Sequence, residues 1–234
     1  MTAAITPVIS ESSLNSLPLW KPATWEDYLT YRDDPSPERI RLYFYNNHLL
    51  VDMGKEGIEH SSINSLFSML LGFWFAQHPE QVFSLFNGCL LEKPNTQAGA
   101  PDLVLYIGED YPRWQAGDRR YINLEENRVP NLVGEIADTT LATDLDEKKH
   151  LYAALGIPEY WVIDVRGKRV FAFILEEGIY KETDQSVALA GLPIHLLEQT
   201  LERLAQESNG SAATWFLQQI VNLNPQLKQQ ANQD

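Results

Sequence analysis

Residues 101–107, PDLVLYI, and residues 131–165, NLVGEIADTTLATDLDEKKHLYAALGIPEYWVIDV, decide the fold. The second run predicts strand, loop, helix and strand in succession. Leu132, Val133 and Ile136 mark a buried strand. A helix is expected from Asp144, with Glu147 three residues on as its capping partner, and it should stop at Gly156 with Pro158 just beyond. Three side chains stand out against this apolar frame: Asp102 at one strand's start, Glu135 inside another, and Lys148 on the helix between.

Working outward, residues 1–20 are polar, contain Pro7 and Pro18, and predict a flexible arm. Thr24 and Asp27 form a capping pair for a short helix with Trp25, Tyr28 and Leu29 at helical spacing, and Pro35 and Pro37 break the chain after it. RIRLYFYNNHLLVDMG (39–54) predicts two strands around Asn46-Asn47, because Asn tolerates the left-handed backbone of a tight hairpin. From Glu59 to Gln77, Ile63, Leu66, Phe67, Leu70, Leu71 and Trp74 recur at helical steps. Residues 81–93 supply further strands, followed by a polar loop with Pro94 and Gly99, and residues 108–130 show no period. Beyond residue 165 come a hairpin over Arg166–Lys168, another strand, and two amphipathic helices within 191–223, with a Gln/Asn-rich end expected to fray. The expected architecture is α/β: one domain over 21–185, a mixed twisted sheet flanked by helices, with 186–234 as a helical C-terminal extension packed on it.

The 234 residues suffice for one good core, and 44% hydrophobic with 11% aromatic residues is a globular composition. No apolar run reaches the roughly 20 residues that span a bilayer. Cys89 is the only cysteine, which excludes an intrachain disulfide and points to a reducing compartment, so a cytoplasmic protein is expected. The formal charge of −14 weighs against a strong DNA binder, since non-specific affinity for nucleic acid is largely electrostatic. It describes the whole surface, however, and a metal ion among carboxylates reverses the local sign.

Lys148 is the most telling of the three residues. At about 100° per residue, Leu145, Leu151, Tyr152 and Leu155 define the apolar side of its helix, and Lys148 falls near the middle of that side while Lys149 lies toward a flank. A buried Glu135 needs a cation or donors to meet it. The plainer readings are an exposed strand-end acid for Glu135, a structural Glu135–Lys148 ion pair, and a turn residue for Asp102. Glu59 and His60 open the long helix on its apolar side, where they either reach a cleft or serve as helix-end compensation. Taken together, two carboxylates and a cation held by a sheet and a helix are the minimal equipment for metal-dependent phosphodiester hydrolysis. Gly-rich phosphate loops, GxSxG and cysteine-based zinc motifs are absent.

The PD of residues 101–102, the strand glutamate, the D-x-x-x-K-x-x-x-Y run (144–152), GIPEYWVID (156–164) and the EH pair at 59–60 resemble the Uma-type restriction endonuclease family of the PD-(D/E)XK nuclease superfamily, over roughly residues 20–180. The resemblance implies a restriction-endonuclease-like fold and an endonuclease that cleaves DNA with Mg²⁺ or Mn²⁺. Asp102 and Glu135 would be the carboxylate ligands, joined by the backbone carbonyl of Ile136. Lys148 would orient the attacking water and stabilise charge on the phosphate, and Glu59 and His60 match the helix-start pair. The superfamily's usual lysine lies two residues after the glutamate, where this chain has Ala137, so Lys148 must reach back into that space. A homodimer would let two sites address two strands. The rival expectation is a non-catalytic acidic interaction module that retains the fold.

Overall fold

The apolar positions of residues 131–165 fold into the middle of a six-stranded sheet, seen in a computed structural model that describes residues 19–35, 40–53 and 57–230, with side chains to Leu223. The expected arm up to residue 18, Pro37, part of the loop after Met53 and the last four residues of the chain lie outside the described residues.

The chain begins with β1 (Lys21–Pro22) and α1 (Trp25–Arg32), whose start carries the expected reciprocal bonds between Thr24 and Asp27. β2 (Arg41–Tyr45) and β3 (His48–Asp52) form a hairpin whose turn residues Asn46 and Asn47 have φ of 49° and 55°. α2 (Ile58–Ala76) buries the predicted apolar face. Then come β4 (Phe83–Asn87), β5 (Leu91–Lys93), β6 (Gln97–Gly99), β7 (Leu103–Ile107), β8 (Ile122–Asn123) and β9 (Leu132–Ala137). Helices α3 (Leu141–Leu145) and α4 (Glu147–Ala154) lead to β10 (Glu159–Asp164), β11 (Arg169–Glu176) and β12 (Ile179–Thr183), and the chain ends in α5 (Ile194–Leu204) and α6 (Asn209–Gln230).

The central sheet has the order β12-β11-β10-β9-β7-β4, with β9 and β10 parallel and every other pair antiparallel. One face, with Leu103, Leu132, Trp161 and Ile163, packs under α2, α5 and α6. The other, with Val104, Val133, Tyr160 and Val162, meets Tyr43, Leu50, Leu151 and Tyr152.

Three expectations are corrected. The hairpin of residues 41–52 does not extend the central sheet; it builds a second one, β1-β3-β2-β6-β5-β8. Its strands are apolar on both faces, so each face needs a layer: Leu42, Phe44 and Leu49 pack with Tyr28 of α1, while Tyr43 and Leu50 face the central sheet. The helix expected from Asp144 is two pieces, interrupted at Asp146, whose φ of −121° and ψ of −89° are not helical. Residues 97–99, expected in a loop, pair with β5.

Candidate active site

Antiparallel pairing of Leu103 with Gly134 places Asp102, one residue before β7, beside Glu135 on β9. Asp102 is 1% exposed, and both of its oxygens have partners. Oδ2 accepts from the Ile136 N–H at 2.7 Å and meets His60 Nε2 at 3.2 Å, while Oδ1 pairs with the guanidinium of Arg41. His60 reaches this point from the first turn of α2.

Glu135 is equally buried. Lys148 Nζ lies 3.1 Å from its Oε2, the Tyr152 hydroxyl donates to its Oε1, and the Tyr43 hydroxyl lies 3.4 Å from Oε2 while donating to the Ala100 carbonyl at 2.9 Å. Lys148 is 3% exposed. Its ammonium also contacts Asp144 Oδ1 at 2.8 Å and sits 4.1 Å from the centroid of the Tyr43 ring. The second oxygen of Asp144 accepts from the Thr140 hydroxyl at 2.6 Å.

The electrostatics follow from this packing. Burial opposes ionisation of Asp102, but His60, Arg41 and the Ile136 N–H hold its carboxyl below the usual range. Burial pushes Glu135 up to about 8; the ammonium of Lys148 opposes that shift, and the Asp102 and Asp144 carboxylates add to it. Lys148 is disfavoured as a cation by burial, yet Glu135, Tyr43 and Asp144 raise its pKa well above the ordinary value. The result is a fixed ammonium between the carboxyl groups of Glu135 and Asp144, the first of which lies beside Asp102.

Four of the five side chains expected at a site are therefore brought together: Asp102, Glu135, Lys148 and His60. Glu59 is not. It is exposed at the start of α2, beside a separate cleft lined by Leu201 and Leu204. Arg41, Tyr43, Tyr152 and Asp144 belong to the cluster and were not singled out for it. Asp144, expected as a helix cap, is fully buried, and Thr140 holds the N-terminal position instead. Its spacing of four residues from Lys148 was the available signal, since that spacing shares a helix face. For Arg41 the signal was strand alternation, which sets it on the same face as Tyr43.

Carboxylate oxygens without thiols suit a hard divalent cation such as Mg²⁺ or Mn²⁺. Among the described residues no group of three His, Cys, Asp or Glu forms a ready-made metal cluster, so an ion here would draw on Asp102, Glu135, backbone oxygen and water. The Arg41 guanidinium already on Asp102 is the positive charge it would exchange with.

A family model described as "Putative restriction endonuclease", Uma2, matches residues 25–222, which includes α5 and much of α6. Among solved structures, "a putative nuclease belonging to DUF820" from Anabaena variabilis superposes with a TM-score of 0.53 at 16% identity, covering 83% of this chain and 99% of that one. That likeness establishes a shared fold. No curated protein matches the chain.

Proposed function

The chain belongs to the Uma2 family of restriction-endonuclease-like proteins, and from that premise we propose that it is a divalent-metal-dependent phosphodiester hydrolase acting on DNA. The observation that carries the reading is the buried register of Asp102 beside Glu135 with Lys148 3.1 Å from the latter. Two carboxylates on adjacent strands with a fixed cation beside them are costly to bury, and a hydrolytic site gives that arrangement a use.

Asp102 and Glu135 would hold Mg²⁺ or Mn²⁺ together with the Ile136 carbonyl. The bound ion would supply a polarised phosphoryl oxygen and a water of lowered pKa. The chain's own residues do the rest. Lys148 is held by Glu135 and Asp144 as a preorganised cation for the charge that builds on the phosphate. Tyr43 and Tyr152 fix the rotamer of Glu135, and His60 with the Ile136 N–H fixes that of Asp102. A lone partly buried Cys89 fits a reducing, cytoplasmic setting, and among the described residues no helix is long and apolar enough to cross a membrane. A homodimer would present two such sites to two strands, and light scattering would read it.

Supercoiled plasmid incubated with the protein and Mg²⁺ or Mn²⁺ tests the reading. Nicking is expected from the wild type and lost in Glu135→Gln and Lys148→Met, with circular dichroism confirming that the variants fold. Undiminished nicking in both would remove the assigned site.

A second reading has one observation in its favour. Every carboxylate of the cluster is already met by an internal cation, as in a non-catalytic interaction module that retains the fold. Calorimetry separates the two, since such a module should bind Mn²⁺ no better than millimolar.

A further inference from the structure

Arginines gather at one place on the surface of this acidic chain. A cleft of about 770 Å³ opens between β2 and β4 and carries Arg32, Arg41 and Arg120 against one acid, Asp34. A second, of about 930 Å³, lies along the irregular segment 112–127 and carries Arg113, Arg119 and Arg120 against Asp118 and Glu126. Both are bordered by Phe86, Cys89 and Arg120, so they adjoin, and together they are called the groove. Five arginines line it; Arg32 is paired with Asp33 and Glu92 and Arg41 with Asp102, while Arg113, Arg119 and Arg120 share the lining with Asp34, Asp118 and Glu126.

The groove leads to the buried cluster. Ala100 and Gly88 form part of its wall; Gly88 N–H donates to the Asp102 carbonyl at 3.0 Å, and Arg41 spans from the groove to the Asp102 carboxylate. Its rim also exposes aromatic rings: Trp114 is 67% and Tyr31 45% exposed. Arg120, at the junction, makes no ion pair among the described residues.

We propose that this groove binds an unpaired DNA strand and delivers its backbone to Arg41 and the Asp102–Glu135 pair. The proposal rests on the hydrolase reading for the chemical identity of the ligand; the groove's shape, its guanidinium groups and its exposed rings supply the rest. Guanidinium groups along a channel track phosphates, and exposed aromatic faces stack bases of any sequence. Each cleft has the volume of a small-ligand site, enough for a short run of nucleotides, whereas a duplex keeps its base faces stacked internally and would leave Trp114 and Tyr31 without partners. An acidic peptide would use the arginines alone.

Fluorescence anisotropy tests this with the full chain in EDTA, where no hydrolysis intervenes. The probe is a fluorescein-labelled oligothymidylate of about 12 nucleotides, within the range one such groove covers. The expected result is binding about tenfold tighter than to the corresponding duplex, weakened about fivefold or more in each of Trp114→Ala and Arg120→Ala. Both residues are at the surface, and unchanged melting temperatures would confirm that the variants fold. The proposal is overturned if duplex, oligouridylate or polyglutamate binds as tightly as oligothymidylate, or if neither substitution weakens binding. Cleavage of the same oligothymidylate and of plasmid with Mn²⁺ reports separately on the hydrolase reading: cleavage of either with unaltered strand binding in the two variants removes the groove alone, and Trp114-dependent strand binding with cleavage of neither supports the groove and removes the hydrolase.

Discussion

Arg41 and Lys148 both neutralise buried carboxylates, but with opposite consequences for a metal ion. Lys148 approaches Glu135 from α4 and is held a second time by Asp144, so it can stay in place while an ion binds between the strands. Arg41 sits directly on Asp102 and must yield. Arg41→Ala should therefore tighten Mn²⁺ binding about tenfold, equivalent to ~1.4 kcal/mol, in titration calorimetry. In metal-free buffer it should cost roughly 3 kcal/mol of stability, because Asp102 keeps His60 and the Ile136 N–H but loses its cation. Equal or weaker Mn²⁺ affinity would show that the two charges do not compete. Lys148→Met should cost about 3–5 kcal/mol, since Glu135 and Asp144 are left buried without their cation. Adding Glu135→Gln should recover part of that loss, and a double-mutant cycle in urea measures the coupling. Additive losses would mean that Lys148 and Glu135 are neighbours without being partners.

The cluster depends on how closely β6 approaches α4. A Cβ on Gly99 would lie 3.0 Å from Leu151 Cδ2 and 3.1 Å from Tyr152 Cε1, the ring whose hydroxyl donates to Glu135. Gly99→Ala should cost about 1–3 kcal/mol and shift the denaturant midpoint down. Gly72→Ala, in the middle of α2 with nothing within 4 Å of the added methyl, should instead stabilise by about 0.5–1 kcal/mol through helix propensity. Similar effects at the two glycines would contradict the tight β6–α4 contact. This contrast also shows what the sequence could carry. α2, the Asn46-Asn47 hairpin and the inward phase of Lys148 are local and periodic, and each was legible from side-chain spacing. The second sheet was not, because it depends on non-local pairings such as the lone Phe44–Ala98 register between β2 and β6. Arg41 was missed for the same reason: alternation gives its face, but only the pairing says that this face looks at Asp102. Glu59 and His60 separate because one residue is about 100° of helix, enough to bring the second to Asp102 and leave the first in solvent.

At the scale of the whole molecule, the C-terminal helices are continuous with the central core. Leu197, Leu201, Phe216 and Ile220 are buried in the cluster that contains α2 and the sheet, so a single thermal transition is expected. The tie between sheet and helices runs through Glu159, at the start of β10. Its carboxylate accepts from Trp161 Nε1 at 2.7 Å and from the N–H groups of Val187 and Ala188 at 3.0 and 2.7 Å, in the segment that leads to α5. Burial raises its pKa above the ordinary glutamate value, and those donors only partly offset the shift. A raised folded-state pKa means that the folded protein holds this proton more tightly than the unfolded chain. The associated stability is complete below about 4.5 and is lost as pH climbs through the folded-state value. Glu159→Gln cannot titrate, and it gives up part of the acceptor set at every pH. The variant should therefore melt below wild type at acidic pH, and the gap should narrow as pH rises toward neutrality. All other titrations are common to the two proteins, so the difference between their melting curves isolates Glu159. Parallel curves across that range would mean that the carboxylate is ionised in the fold at an ordinary pKa, and that the donors from Val187, Ala188 and Trp161 outweigh its burial.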